Sequence, residues 1–209
     1  MRTLTLKSLV IGALVFGATW QALADDLIPP WWTRGTAGAT YLETSFPTGN
    51  SPTPPEPGWY NPNGTPLITT VGTWAALVDN RPGVWNISGG GSMSVFDPNY
   101  DTANPYKYIF VQLTLDGHHV GQPNITVNGV SGVLVNQISL QPSSPDPWEY
   151  QRWAFELQPN PTHETILITG NIEICQVVVD TLCIPEPGAG LLVALGAGLM
   201  LVLRRRFQR

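Results

Sequence analysis

The clearest pattern in this 209-residue chain is a two-residue alternation of apolar positions. Along residues 106–115, Ile109, Val111, Leu113 and Leu115 share one face, while Tyr106, Tyr108 and Phe110 populate the other. Successive side chains of a strand point to opposite sides, so apolar residues on both faces predict a central position between two layers. Residues 149–158 alternate Trp153, Phe155 and Leu157 with Arg152, Ala154 and Glu156, which predicts a half-buried strand at the edge of the core. Shorter stretches of the same kind occur at residues 39–46, 67–71, 83–88, 92–96, 124–127, 132–140, 164–169 and 172–181. Residues 86–91 supply a turn; their Gly89-Gly90-Gly91 run lacks the Lys-Ser/Thr of a phosphate loop, so a hairpin is expected there. Residues 47–66 carry seven prolines, which excludes a central strand and predicts a long surface loop. Many short strands and no helix outside the termini predict an all-β fold, an antiparallel β-sandwich of jelly-roll type.

Both ends depart from the alternation. Arg2 and Lys7 precede an apolar run at residues 9–18, and Ala22-Leu23-Ala24 forms an A-x-A cleavage site before Asp25. Ten apolar residues are too few to span a bilayer, so residues 1–24 read as a secretory signal helix. At the other end, residues 188–203 are uncharged, and as a helix they would rise about 24 Å at ~1.5 Å per residue. That is somewhat short of the ~30 Å hydrocarbon core, which flanking residues or a thinner bilayer would accommodate. Arg204, Arg205, Arg206 and Arg209 would hold the end of this transmembrane helix in the cytoplasm. Pro185 and Pro187 keep the segment before it extended and open to another protein. The chain thus divides into a signal (1–24), an exported domain (25–183) and a C-terminal address (184–209).

The order Pro185-Glu186-Pro187, Gly/Leu-rich span, arginine cluster closely resembles the PEP-CTERM sorting signal of Gram-negative bacteria. The resemblance implies recognition by an exosortase, a membrane-embedded thiol protease that removes the tail, after transient anchoring in the inner membrane. It covers about an eighth of the chain. The body is similar to a family of exported proteins that carry this tail. The matching pieces are Pro30-Trp31-Trp32, the loop from Asn61 to Pro66, the stretch from Asn104 to Ile109, Gln151-Arg152-Trp153, and Val178-Val179-Asp180-Thr181. That likeness implies a sandwich fold and no particular activity.

Charge narrows the function. Of the 15 acids, all but Glu186 fall in the exported part, whose bases are only Arg34, Arg81, Lys107 and Arg152. Nucleic acid is therefore not an expected partner, since phosphate binding needs a basic patch. Cys175 and Cys183 would occupy an oxidising compartment. Along straight strand they lie about 26 Å apart at ~3.3 Å per residue, so a disulfide requires the chain to turn back near Asp180-Thr181; otherwise both stay thiols. Asp116-Gly117-His118-His119 and His163-Glu164 are candidate metal ligands or bases. Adjacent strand histidines face opposite ways, so they could serve one metal only in a turn. Solvated loop histidines are the plainer reading, and no metal or cofactor is expected. Trp74 and Trp85 are expected in the core. Trp31, Trp32, Trp59 and Trp148 stand in Pro-rich loops, where they either plug the ends of the sandwich or stack on sugar rings. The sequence therefore points to a non-enzymatic structural or interaction protein of the envelope or extracellular matrix. The alternatives are a carbohydrate-binding module for exopolysaccharide and a secreted hydrolase.

Overall fold

The computed structural model describes residues 27–99, 106–140 and 147–184. Ala22, Ala24, Pro185, Glu186, Pro187, Arg204, Arg205, Arg206 and Arg209 lie outside these residues. Twelve strands follow in order: β1 (Ala39–Thr44), β2 (Leu67–Val71), β3 (Thr73–Val78), β4 (Arg81–Asn86), β5 (Ser92–Pro98) and β6 (Tyr106–Asp116); then β7 (Val120–Val127), β8 (Val130–Ser131), β9 (Val133–Ser139), β10 (Trp148–Leu157), β11 (His163–Asn171) and β12 (Glu173–Ile184). All pairings are antiparallel, and the described residues contain no helix.

One sheet has the order β3-β4-β12-β6-β10-β9, and β1 also pairs with β12; the other is β2-β5-β11-β7-β8. Because β6 occupies one flank of β12, its other flank is shared by β4 (at Glu173 and Ile174) and β1 (at Val177 to Leu182). The two sheets face each other across one apolar core, the arrangement of a β-sandwich. The larger sheet contributes Trp85, Ile109, Val111, Leu113, Leu115, Trp153, Phe155, Val177 and Val179, and the smaller contributes Ile68, Met93, Val95, Ile125, Val127, Ile166 and Ile168. These are the alternate positions that the sequence pattern marks. Trp74 packs against the same core, half-buried.

β6 is central, between β12 and β10, as its two apolar faces predict. Its outer face is not covered by a second sheet, however, but by the irregular segment 27–36. Two expectations are corrected and one open alternative is decided. First, β10 is an inner strand, with β9 outside it, and even Arg152 on its outward side is buried. Second, residues 87–91 join β4 in one sheet to β5 in the other, so they form a crossing rather than a hairpin. The hairpin nearby is β3-β4, whose turn places Asp79 (φ 46°) and Asn80 (φ 65°) in the left-handed region that Asp and Asn tolerate. Third, β12 continues in register with β6 through Asp180 and Thr181 as far as Ile184. Cys175 and Cys183 thus sit at separated positions on one strand, both buried, and no disulfide joins them.

Gly83 explains how the loop after β1 reaches the sheet. It lies in β4 at φ 64°, and a Cβ there would overlap the carbonyl oxygens of Ser45 and Phe46. Only glycine lets that backbone approach so closely.

Candidate functional site

The outer face of the larger sheet carries an aromatic shelf. Tyr108 and Phe110 project outward from β6, and the segment before β1 lays Trp31 and Trp32 over them. Trp32 stacks on Phe110, with centroids 5.3 Å apart and planes at 12°. Trp31 meets Tyr108 edge-on at 5.9 Å and Phe110 at 5.5 Å. Offset and edge contacts of this kind hold rings by their quadrupoles as well as by area.

Polar contacts pin the segment along its length. Arg34 grips the fully buried Asp180 with a two-pronged contact, Nε to Oδ1 at 2.6 Å and an η nitrogen to Oδ2 at 2.7 Å. The same guanidinium lies 3.8 Å from the Tyr41 ring centroid. Arg152 donates to the Leu27 carbonyl at 2.8 Å, and Leu27 N–H donates to Gln112 Oε1 at 3.2 Å. Gln112 also donates to Asp180 at 2.9 Å and accepts from Tyr150. Residues 27–34 therefore form a strap fixed at both ends.

Beside the strap opens a cleft of about 260 Å³, lined by Trp31, Tyr108, Phe110, Val133, Ala154 and Glu156 among others. Trp31 is 68% exposed at its rim. Glu156 also lines a larger open cleft of about 540 Å³ next to Pro159 and Pro161. The four tryptophans expected to meet a glycan thus part company. Trp31 presents a ring to solvent, and Trp59 is half-buried in its loop. Trp32 is buried with one face against Phe110. Trp148 is fully buried as the first residue of β10, packed with Val84 and Cys175, so it is a core residue and not a stacking platform.

The histidines do not converge. His118 is exposed in the turn after β6, its Nδ1 3.3 Å from Asp116. His119, next to it, turns inward and meets Glu149 at 2.9 Å. Around that pair stand Gln151, which donates to Glu149 at 2.6 Å and Gln122 at 2.8 Å, and Gln137, which donates to Glu149 at 2.8 Å. His163 lies on β11 in the other sheet, its ring 5.3 Å from Phe96. No group of three His, Cys, Asp or Glu among the described residues could hold a metal.

The opposite end of the sandwich contains a cluster that the sequence reading did not single out. Lys107, at an inward position of β6, is fully buried. Its Nζ donates to Asn99 Oδ1 at 2.7 Å and lies 2.9 Å from Glu164 Oε1. Apart from Lys107 and its own backbone amide, Glu164 meets no hydrogen-bond donor among the described residues. Asn99 Nδ2 donates to Asn160 Oδ1 and the Pro161 carbonyl, both at 2.5 Å. Cys183 Sγ lies 3.3 Å from Asn99 Oδ1, near enough to donate a weak second bond. Asp97 stands directly opposite Glu164 across the β5-β11 pair. It accepts from Asn61 Nδ2 at 2.7 Å and Thr40 Oγ1 at 3.0 Å.

Burial dominates the electrostatics of this cluster. It pushes the Glu164 carboxyl up to about 7, against the lowering pull of Lys107 and with a further push from Asp97. Burial likewise raises Asp97, against its hydrogen bond from Asn61, the charge of Lys107 and its hydrogen bond from Thr40. The arrangement holds an amine, a carboxamide and a proton-accepting carboxyl together out of water.

No family model matches the chain, and no curated protein matches it.

Proposed function

We propose that this chain is an exported structural or interaction domain of a Gram-negative cell envelope or extracellular matrix. Residues 1–24 form the signal helix that carries it out. Residues 184–209, with Pro185, Glu186 and Pro187, a transmembrane helix and a basic stop at Arg204, Arg205, Arg206 and Arg209, hold it in the inner membrane until an exosortase removes the tail. The observation that supports this reading is how far the last strand runs. β12 stays hydrogen-bonded to β6 up to Ile184, paired with Tyr106, and the sorting motif is the next three residues. The described sheet is therefore built up to the residue that precedes the motif. The orders β4-β12-β6-β10 and β5-β11-β7-β8 support a jelly roll within the sandwich class. Intact-mass analysis of the protein recovered from cells with and without an active sorting protease is the test. Loss of the tail only where the protease is active is expected; the same mass from both strains would overturn the reading.

A second reading is favoured by one feature, the exposed ring of Trp31 at the rim of a cleft that also offers the Glu156 carboxylate. An aromatic face beside a hydrogen-bond acceptor suits a pyranose ring, apolar on one side and hydroxylated at its edge. The domain then acts as a carbohydrate-binding module for exopolysaccharide. Retention on matrix polysaccharide that is lost in Trp31→Ala supports it, and no retention on any such polysaccharide excludes it.

A further inference from the structure

We infer that the buried end of the sandwich is a modification site, where the Lys107 side chain joins the Asn99 carboxamide in an intramolecular isopeptide bond. An amine nitrogen 2.7 Å from a carbonyl oxygen lies about 3–4 Å from the carbonyl carbon, given a C=O length of ~1.23 Å. The near part of that span, ~3–3.5 Å, is the separation of a near-attack arrangement. Both groups are held. Lys107 is fixed in the β-ladder between Cys183 and Leu157. The carboxamide is oriented by Asn160 and Pro161 on its nitrogen and by Cys183 on its oxygen. Water, the competing nucleophile, is kept out: Lys107 and Glu164 are fully buried and Asn99 nearly so.

The proton bookkeeping closes with groups already present. Glu164 takes a proton from the Lys107 ammonium, and the nitrogen lone pair attacks Asn99 Cγ. The Cys183 thiol faces the oxygen on which negative charge develops, in the manner of an oxyanion donor. Glu164 then returns its proton to Nδ2, the C–N bond breaks, and the departing ammonia takes the second proton from the former lysine nitrogen and leaves as ammonium. An alkylammonium and a primary amide become a secondary amide and ammonium. No oxidant, reductant or cofactor is consumed. A carboxyl that burial has brought to about 7 is suited to both transfers. Apart from Lys107 and its own backbone amide no donor holds its oxygens, which leaves it available for them. Asp97 is less suited to be the acyl partner, because Asn61 and Thr40 already occupy its oxygens.

The bond would tie the end of β5 in one sheet to the start of β6 in the other. The site is distinct from the aromatic shelf and does not depend on what that shelf binds. The test is the intact mass of the full chain isolated from its host, followed by peptide sequencing after trypsin. A mass one ammonia below that of its own processed sequence is expected, with no cleavage after Lys107 and the link located between Asn99 and Lys107. Lys107→Arg should restore the sequence mass, and Glu164→Gln should slow formation by about 10²–10⁴-fold. A chain at its full sequence mass and cleaved after Lys107 would overturn the inference. So would a lost ammonia located at another asparagine, or a lost water linking Lys107 to Asp97. The unmutated chain alone decides these outcomes, so a variant that fails to fold does not protect the idea.

Discussion

Replacing Arg34 by alanine tests whether the strap is part of the fold or lies loosely upon it. The substitution removes two charge-assisted hydrogen bonds, at 2.6 and 2.7 Å, from Asp180, a carboxylate with no exposed side-chain surface. Deleting one partner of a buried pair costs about 3–5 kcal/mol, because the remaining charge keeps its desolvation penalty. Arg34 is itself 20% exposed, so part of its interaction is screened and the low end, about 3 kcal/mol, is the figure to expect. At an m-value of about 2 kcal/mol/M, the urea midpoint of a 25–184 fragment should fall by about 1.5 M. Adding Asp180→Asn removes the stranded charge and should recover about half of that loss. Hydrogen exchange should place the opening in residues 27–36 first, ahead of β6 and β12. A midpoint shift under about 0.3 M in the single variant would show that the fork contributes no more than a surface ion pair, and the strap argument would fail.

Other outcomes follow from particular residues. Gly83→Ala must force a Cβ into the Ser45 and Phe46 carbonyls at a left-handed φ, and should cost about 2–4 kcal/mol by urea titration; a cost below about 1 would contradict that close approach. Trp31→Ala should cost about 1 kcal/mol through its contacts with Tyr108 and Phe110 and leave the domain folded by urea titration, so lost polysaccharide retention by the folded variant would report binding and not unfolding. The folded Glu164 carboxyl, at about 7, lies above its ordinary 4.5, so the native state holds that proton more tightly. Its contribution is complete below about 4.5 and is lost as pH rises through about 7, roughly 3 kcal/mol in all. Asp97, also raised, acts in the same direction. Glu164→Gln should flatten the stability profile over that window, and parallel profiles would refute it. Shortened to end at Thr181, the 25–184 fragment loses buried Cys183 beside Lys107 and should be about 2 kcal/mol less stable by thermal melting.

The alternation that marks β6, β10 and β11 was legible because the larger part of each strand faces a continuous core, and the core residues fall on the expected parity. What parity could not convey was the third covering. Tyr108 and Phe110 read as facing a second layer, and they do face one, but it is an irregular strap of Trp31, Trp32 and Arg34 whose placement depends on contacts over 100 residues away in sequence, such as Arg34 to Asp180. β3 was missed because Thr73–Val78 has neither face fully buried, so its apolar residues show no burial period. β10 was placed at the edge because Arg152 and Glu156 look solvent-directed. Yet Arg152 is buried through its bond to the Leu27 carbonyl, a partner that no local pattern reveals. The cysteine alternatives turned on whether residues 180–181 bend, and the uninterrupted ladder to β6 decides that they do not.

One signal for the buried cluster was present in the sequence and is instructive. Lys107 shares parity with Ile109, Val111, Leu113 and Leu115, so the strand that most clearly faces the core begins with an inward lysine. A charge there is unfavourable unless it is paired, and even a paired one is usually no better than a well-packed apolar side chain. The pairing found is incomplete, since one lysine faces Glu164 while Asp97 adds a second buried acid opposite it. As an ion pair, this end is a cost that the apolar core must offset. As an amide, the lysine loses its charge, both carboxyls can rest protonated, and closing the loop from Asn99 to Lys107 contributes about 2–3 kcal/mol through the unfolded chain, by the entropy argument used for other cross-links. The covalent form therefore removes the electrostatic penalty that makes the residues surprising, which is why the mass of the intact chain, rather than a further structure of the same side chains, is the decisive measurement.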